Sequence, residues 1–330
     1  MNKCYTYYIY LNLLIRNLKL DKTYVNHDIE LFDINIDDTL HNLLSSQPFS
    51  NKALLSLSND YENGKWRLKH FEKFVFNSLV ETALSAKERE SLIDDSFSRL
   101  EESAKNLRLL DNEEAGGEIG EVLLYGIMKK YYNALPIVPK IFYKQNANDY
   151  AKGADSVHIV LDNNNEYSLW FGEAKFYNSL ETARLTKIIE SISNMLDTQK
   201  MRKELKIITN ISDLEVYIKD KELLERIRKD FSDNLSLDKL STKIHIPIML
   251  LHECSLTHSE IKSNQEYEEY KVRIKAEHLD IAKRFMNKQD EKLRKMYGYS
   301  DIKFHLIIFP VPNKSVIVKR FTNKVKEWKS

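Results

Sequence analysis

Apolar positions recur along this chain in two rhythms, and the change from one to the other outlines its elements. From Trp66 to Leu84, Leu68, Phe71, Phe74, Val75, Leu79 and Val80 return at helical spacing, which predicts an amphipathic helix. Ser85-Ala86-Lys87-Glu88 has the form of a capping box and predicts a second helix at once. Gly116-Gly117 breaks the chain, and from Glu118 to Tyr132 the residues Ile119, Val122, Leu123, Leu124, Ile127 and Met128 make a helix apolar around most of its girth. Such a helix is buried. Pro136 and Pro139 mark its end, and three strands are predicted at about 137–143, 155–162 and 166–174, the last two joined by the turn Asp162-Asn163-Asn164-Asn165.

Asn178-Ser179-Leu180-Glu181 reads as a helix start, with Leu185, Ile188, Ile189, Ile192, Met195 and Leu196 as the face that packs on the sheet. More helices run to about Leu240. A buried-type strand follows at Ile244–Leu251, then a charged helix from about Gln265 to Met296, a strand at Phe304–Phe309 and a basic terminal helix. On that helix Tyr270, Ile274, Leu279, Ile281 and Phe285 align only loosely. Residues 1 to about 65 read as short mixed strands and loops, with Ile29–Ile34 alternating as a half-buried strand does. The apolar run Cys4–Ile15 reads as buried strand or helix. The order predicts an α/β fold with a mixed sheet flanked by helices. Residues 1–115 are expected to form a mixed strand and helix region, and 116–330 a domain with helical elaborations at its C-terminal end.

Composition narrows the class. At 330 residues, 42% hydrophobic, the chain suffices for one large domain or two modest ones. Two distant cysteines, Cys4 and Cys254, cannot define a disulfide framework, so a reducing, cytoplasmic setting is expected. No stretch reaches the roughly 20 apolar residues of a membrane span. A net charge of +1 excludes a uniformly basic DNA-coating protein. Charge is nevertheless uneven. Lys129, Lys130, Lys140, Lys144 and Lys152 face one acid, Asp149, and Lys314, Lys319, Arg320, Lys324, Lys326 and Lys329 face Glu327. These runs suit either a solvated face or phosphate contacts.

The chemistry concentrates at Gly153-Ala154-Asp155 and Glu173-Ala174-Lys175. Acid-x-Lys triplets also begin at Glu204, Glu269, Asp290, Asp301 and Glu327, but in helical patterns, turns or the tail. Only the copy at Glu173 ends an apolar strand. Two carboxylates on neighbouring strands supply the oxygen donors a hard divalent cation takes, with the Ala174 carbonyl available as a third. Lys175, two residues along the same strand, shares the side of Glu173. Phosphodiester hydrolysis needs these parts: a cation against phosphate charge, an activated water, and a positive group for the pentavalent phosphorane. A lysine between two carboxylates stays protonated, which favours an electrostatic role for Lys175 over proton abstraction. A third acid is expected from the preceding helix. Glu118 lies on the flank of its apolar stripe and Glu121 nearly opposite, and the angle leaves both open.

The plain alternative is a strand aspartate before a turn, a surface Glu-x-Lys pair, and two helix acids facing the dipole. His252, Cys254 and His258 have soft-ligand character, but three residues at that spacing match no zinc module. His158 faces away from Asp155 and reads as a packed core histidine.

The order of Gly-Glu helix, Gly-x-Asp strand and Glu-x-Lys strand resembles the PD-(D/E)xK nuclease superfamily, whose α-β-β-β-α-β core residues 117–251 match in sequence order. No proline precedes Asp155. Within that core, Gly117-Glu118-Ile119-Gly120-Glu121-Val122-Leu123-Leu124-Tyr125, Lys152-Gly153-Ala154-Asp155 and Phe171-Gly172-Glu173-Ala174-Lys175-Phe176 resemble the HamA family, the nuclease subunit of Hachiman antiphage defence. Phe304–Pro312 adds to the likeness. The resemblance implies a restriction-endonuclease-like fold and a DNA nuclease dependent on Mg²⁺, with Mn²⁺ as an alternative, acting with a superfamily 2 helicase of the HamB kind. It places the metal on Asp155, Glu173 and a helix glutamate, Glu121 ahead of Glu118, and adds Lys175 to the catalytic set. The competing reading is a non-catalytic module of the same fold that holds DNA or a partner.

Overall fold

The computed structural model describes residues 33–34, 51–109, 116–139, 141, 153–162, 164, 166–197, 199–202, 205, 213–231, 239–257, 260–296 and 298–330. Leu31–Ser330 forms one compact unit. Its elements in chain order are β1 (Asp33–Ile34), β2 (Lys52–Ser58), β3 (Tyr61–Glu62), β4 (Lys65–Trp66), α1 (Leu68–Ala83), α2 (Ala86–Ser91), α3 (Ser96–Lys105), α4 (Gly117–Tyr132), β5 (Leu135–Val138), β6 (Ser156–Leu161) and β7 (Tyr167–Tyr177). After these come α5 (Thr182–Met195), α6 (Asp213–Tyr217), α7 (Lys221–Asp230), β8 (Ile244–Glu253), α8 (Asn264–Leu293), β9 (Lys303–Val311) and α9 (Lys314–Lys329). The stretch from α4 to β8 therefore has the expected helix, three strands, helices, strand order.

Seven strands form one sheet in the order β1-β2-β9-β8-β7-β6-β5. The pairs β2–β9, β9–β8 and β8–β7 are parallel, while β7–β6 and β6–β5 are antiparallel. The sheet is mixed, as the element order predicts. β7 stands where parallel pairing gives way to antiparallel.

Both faces are covered, and strand alternation sorts side chains between them. Leu169 and Phe171 of β7, with Ile246, Ile248 and Leu250 of β8, meet Leu185, Ile188 and Ile192 of α5 and Phe285 of α8. Trp170, Ala174 and Phe176 of β7 lie on the other face with Met249 and Leu251, under Phe71 and Leu79 of α1, Ile119 and Leu123 of α4, and Phe321 of α9. The parallel strands, buried on both sides, explain the continuous apolar runs at Ile244 and Phe304.

Residues 51–109 contribute β2 to the sheet beside β9 and α1 to its cover, with Leu54 buried on one face and Leu55 and Leu57 on the other. Two features differ from expectation. Helix α4 ends on Asn133 in the left-handed conformation, φ 50°, rather than at a proline. Pro136 instead lies within β5, where an edge strand tolerates a missing N–H. Helix α8 packs on the core along Tyr270, Ile274, His278, Ile281, Phe285, Gln289 and Leu293. His278 and Gln289 interrupt that stripe in polarity but not in burial, which is why the apolar residues alone align loosely. The capping box is present, with Ser85 and Glu88 bonding reciprocally. The run Cys4–Ile15 and residues 29–32 lie outside the described residues.

Candidate functional site

Antiparallel pairing of β6 and β7 brings Asp155 to Glu173. Ser156 pairs with Gly172, and the Asp155 backbone N–H donates to the Gly172 carbonyl at 2.7 Å, which sets the two acids side by side. Glycine at 172 is required by this approach. A Cβ there would stand 2.2 Å from Ser156 Oγ and 2.8 Å from Leu124 Cδ2. The Asp155 carboxylate is then pinned to β7, since Oδ2 accepts from the Ala174 backbone N–H at 2.9 Å.

Glu173 is 2% exposed and sits against Ile248 of β8. Its Oε1 receives the Lys175 ammonium at 2.6 Å and the Ser191 hydroxyl of α5, also at 2.6 Å. Lys175 Nζ reaches Asp155 Oδ2 at 3.5 Å and donates to the Ala174 carbonyl at 3.2 Å. One cation is thus shared by two carboxylates. Burial raises the pKa of Glu173, the Asp155 charge raises it further, and Lys175 and Ser191 oppose both. For Lys175, burial is the largest single influence and lowers the pKa, but Asp155 and Glu173 together outweigh it. The ammonium is therefore held charged.

The structure brings Asp155, Glu173 and Lys175 together. It treats the two helix acids differently. Glu118 accepts the backbone N–H groups of Arg108 at 2.8 Å and Leu109 at 3.1 Å, one on each oxygen, so it ties the chain after α3 to the first turn of α4. Glu121 follows Gly120, whose ideal Cβ position lies 3.6 Å from Ala174 Cβ. Helix α4, which carries Glu121, packs on the face of β7 that holds Ala174 and Phe176. Among the described residues, no group of three or more His, Cys, Asp or Glu side chains is placed to hold a metal ion.

A divalent cation that keeps most of its waters needs only one or two protein carboxylates. Asp155 and Glu173 bring two carboxylates together at neighbouring strand positions, both within 3.5 Å of the Lys175 ammonium. Asp155 and Glu173 therefore fit Mg²⁺ as a two-carboxylate donor set. The Ala174 carbonyl already accepts from Lys175.

Ser191 is the site residue that sequence reasoning missed. A faint signal existed: its neighbours three before and four after, Ile188 and Met195, are both buried, so a serine there is out of place on an apolar stripe.

Other polar groups of interest are occupied elsewhere. Lys129 pairs with Glu81 at 2.5 Å, Arg320 with Glu72, and Lys324 with Glu327 at 3.0 Å. Lys314 and Lys329 donate to the carbonyls of Phe176 and Leu107 at 2.9 and 2.5 Å. Of these, Arg320, Lys314 and Lys329 tie α9 to α1, β7 and the segment after α3. Lys140, Lys144 and Lys152 lie outside the described residues, as does His258. Burial pushes His252 down to about 4 and the Cys254 thiol, which donates to Glu277 at 3.4 Å, up to about 11. His158 packs against the Tyr125 ring at 4.8 Å and is pushed down to about 3 by burial, so it is a neutral core residue. No helix among the described residues is long and apolar enough to cross a membrane.

Comparison with curated proteins yields no match. A family model described as HamA matches residues 30–325, which takes in the whole sheet and every helix named above except the last turn of α9. The chain belongs to the HamA family, which is associated with Hachiman antiphage defence.

Proposed function

We propose that this chain is a Mg²⁺-dependent deoxyribonuclease that hydrolyses phosphodiester bonds, bound to a superfamily 2 helicase that delivers the DNA. The observation that carries the reading is the shared ammonium: Lys175 within 2.6 Å of Glu173 and 3.5 Å of Asp155 at the meeting of two strands in a HamA-family chain. A purely structural ion pair would not need two carboxylates crowded at one cation, since the second adds repulsion. Two cysteines in 330 residues support a cytoplasmic setting.

Asp155 and Glu173 would hold the ion, with Glu121 of α4 as the further carboxylate. The ion, when bound, supplies charge neutralisation and polarisation at the scissile phosphate. Lys175, kept protonated by its neighbours, is a fixed positive charge for the phosphoryl oxygens as negative charge grows on them. The Ala174 amide holds Asp155 in place during this step. Access is from the Asp155 and Lys175 side, where the side chains are 17% and 32% exposed, because Glu173 is sealed against the sheet.

The test is plasmid degradation with Mg²⁺ by the full chain together with its helicase, comparing wild type with Glu173→Ala and Lys175→Ala. Loss of at least about 100-fold in both variants is expected, the scale of removing one preorganised charge stabiliser. Unchanged cleavage by either variant contradicts the assignment.

A further inference from the structure

Ser191 lies in the middle of α5, where serine is a poor helix former and can bond the carbonyl one turn back. Thr186 of the same helix does this, donating to the Thr182 carbonyl at 3.1 Å. Ser191 instead crosses to the sheet and donates to Glu173 Oε1 at 2.6 Å, within the range of a short charge-assisted O–H···O⁻ bond. The same oxygen takes the Lys175 ammonium. Among the described residues nothing hydrogen-bonds to Oε2 of Glu173.

We infer that Ser191 is a positioning residue for the reaction: it fixes the Glu173 carboxylate through one oxygen so that the other is left to bind the cation. The inference rests on the nuclease reading above. Lys175 cannot do this alone. Its ammonium is divided among Glu173, Asp155 and the Ala174 carbonyl at the end of a flexible four-carbon stem. The Ser191 hydroxyl has one rotatable bond and is mounted on a helix anchored by Ile188, Ile189 and Ile192, all fully buried. A carboxylate oriented in this way by an outer group is the common construction of metal sites, and loss of such a group weakens metal affinity about 10–100-fold.

The experiment is an Mn²⁺ titration of the full chain followed by electron paramagnetic resonance, on wild type, Ser191→Ala and Ser191→Thr, with thermal unfolding of each. Ser191→Ala is expected to bind Mn²⁺ about 10–100-fold more weakly, and Ser191→Thr, which keeps the hydroxyl, to stay within about threefold of wild type. The melting transitions of the three proteins should remain cooperative. Wild-type Mn²⁺ affinity in Ser191→Ala overturns the inference and leaves the nuclease reading standing. Equal weakness of the two variants also overturns it, since the hydroxyl is then not the cause. Absence of Mn²⁺ binding by wild type overturns the nuclease reading and the inference with it.

Discussion

Replacing Lys175 by Met keeps most of the side-chain volume and removes a cation that Glu173 and Asp155 share. Breaking a buried ion pair by removing one partner costs about 3–5 kcal/mol, because the other charge stays buried and uncompensated. Lys175 is about a third exposed, and water screens part of its interaction, so a loss of about 2 kcal/mol near pH 8 is the better figure. The loss depends on pH, and its sign follows from Glu173. Its folded pKa is raised, so the stability linked to its protonation is fully present below the unfolded pKa and is lost as pH rises through the folded pKa. Without the ammonium that pKa rises further, which widens the window toward neutral pH. The variant should therefore be weaker than wild type by about 2 kcal/mol at pH 8, and the deficit should shrink as the pH is lowered and Glu173 takes a proton. Urea unfolding of the metal-free chain at pH 8 and at pH 5 measures the difference. A deficit of the same size at pH 5 and pH 8 refutes the argument, since it would mean that lost packing rather than an uncompensated carboxylate is responsible.

Glu118→Ala should lower stability by about 1–2 kcal/mol, because two backbone amides lose their acceptor, while cleavage per folded molecule stays at the wild-type level. Denaturant unfolding beside a single-turnover cleavage assay separates these, and a large cleavage defect would move Glu118 into the site. Gly172→Ala places a methyl group against Ser156 and Leu124 and should cost about 1–3 kcal/mol in the same unfolding assay. Because the strain falls between Asp155 and Glu173, cleavage should fall with it. A stable, fully active Gly172→Ala variant would show that the strand spacing at the acids is not critical.

Much of this architecture is legible in the sequence, and the exceptions have physical causes. Helix α4 and strands β6 and β7 emerge within a few residues of their positions because each carries one unbroken period and is bounded by glycine or turn residues. Strand β2 is hidden because Leu54, Leu55 and Leu57 serve both faces of the sheet, and Ser56 bonds His278 from α8 at 2.7 Å. Neither period survives such a mixture. The adjacency of Asp155 and Glu173 follows from two strands and a short turn, so local pattern suffices for it. The choice between Glu118 and Glu121 does not, since the partners of Glu118 are amides in a segment ten residues upstream that a helical projection never sees. Ser191 lies further still from local rules: its role comes from the packing of α5 on β7, and only its polarity among Ile188, Ile192 and Met195 hints at it.

The central claim is that Asp155 and Glu173 hold the cation beside Lys175. Anomalous diffraction from crystals of the chain with its helicase, DNA and Mn²⁺ tests it most directly. A peak is expected within coordination distance of a carboxylate oxygen of each acid, on the Lys175 side of β7, and it should be lost in Glu173→Gln. A complex that cleaves DNA with its metal bound elsewhere, and with Asp155 and Glu173 still bridged only by Lys175, would contradict it.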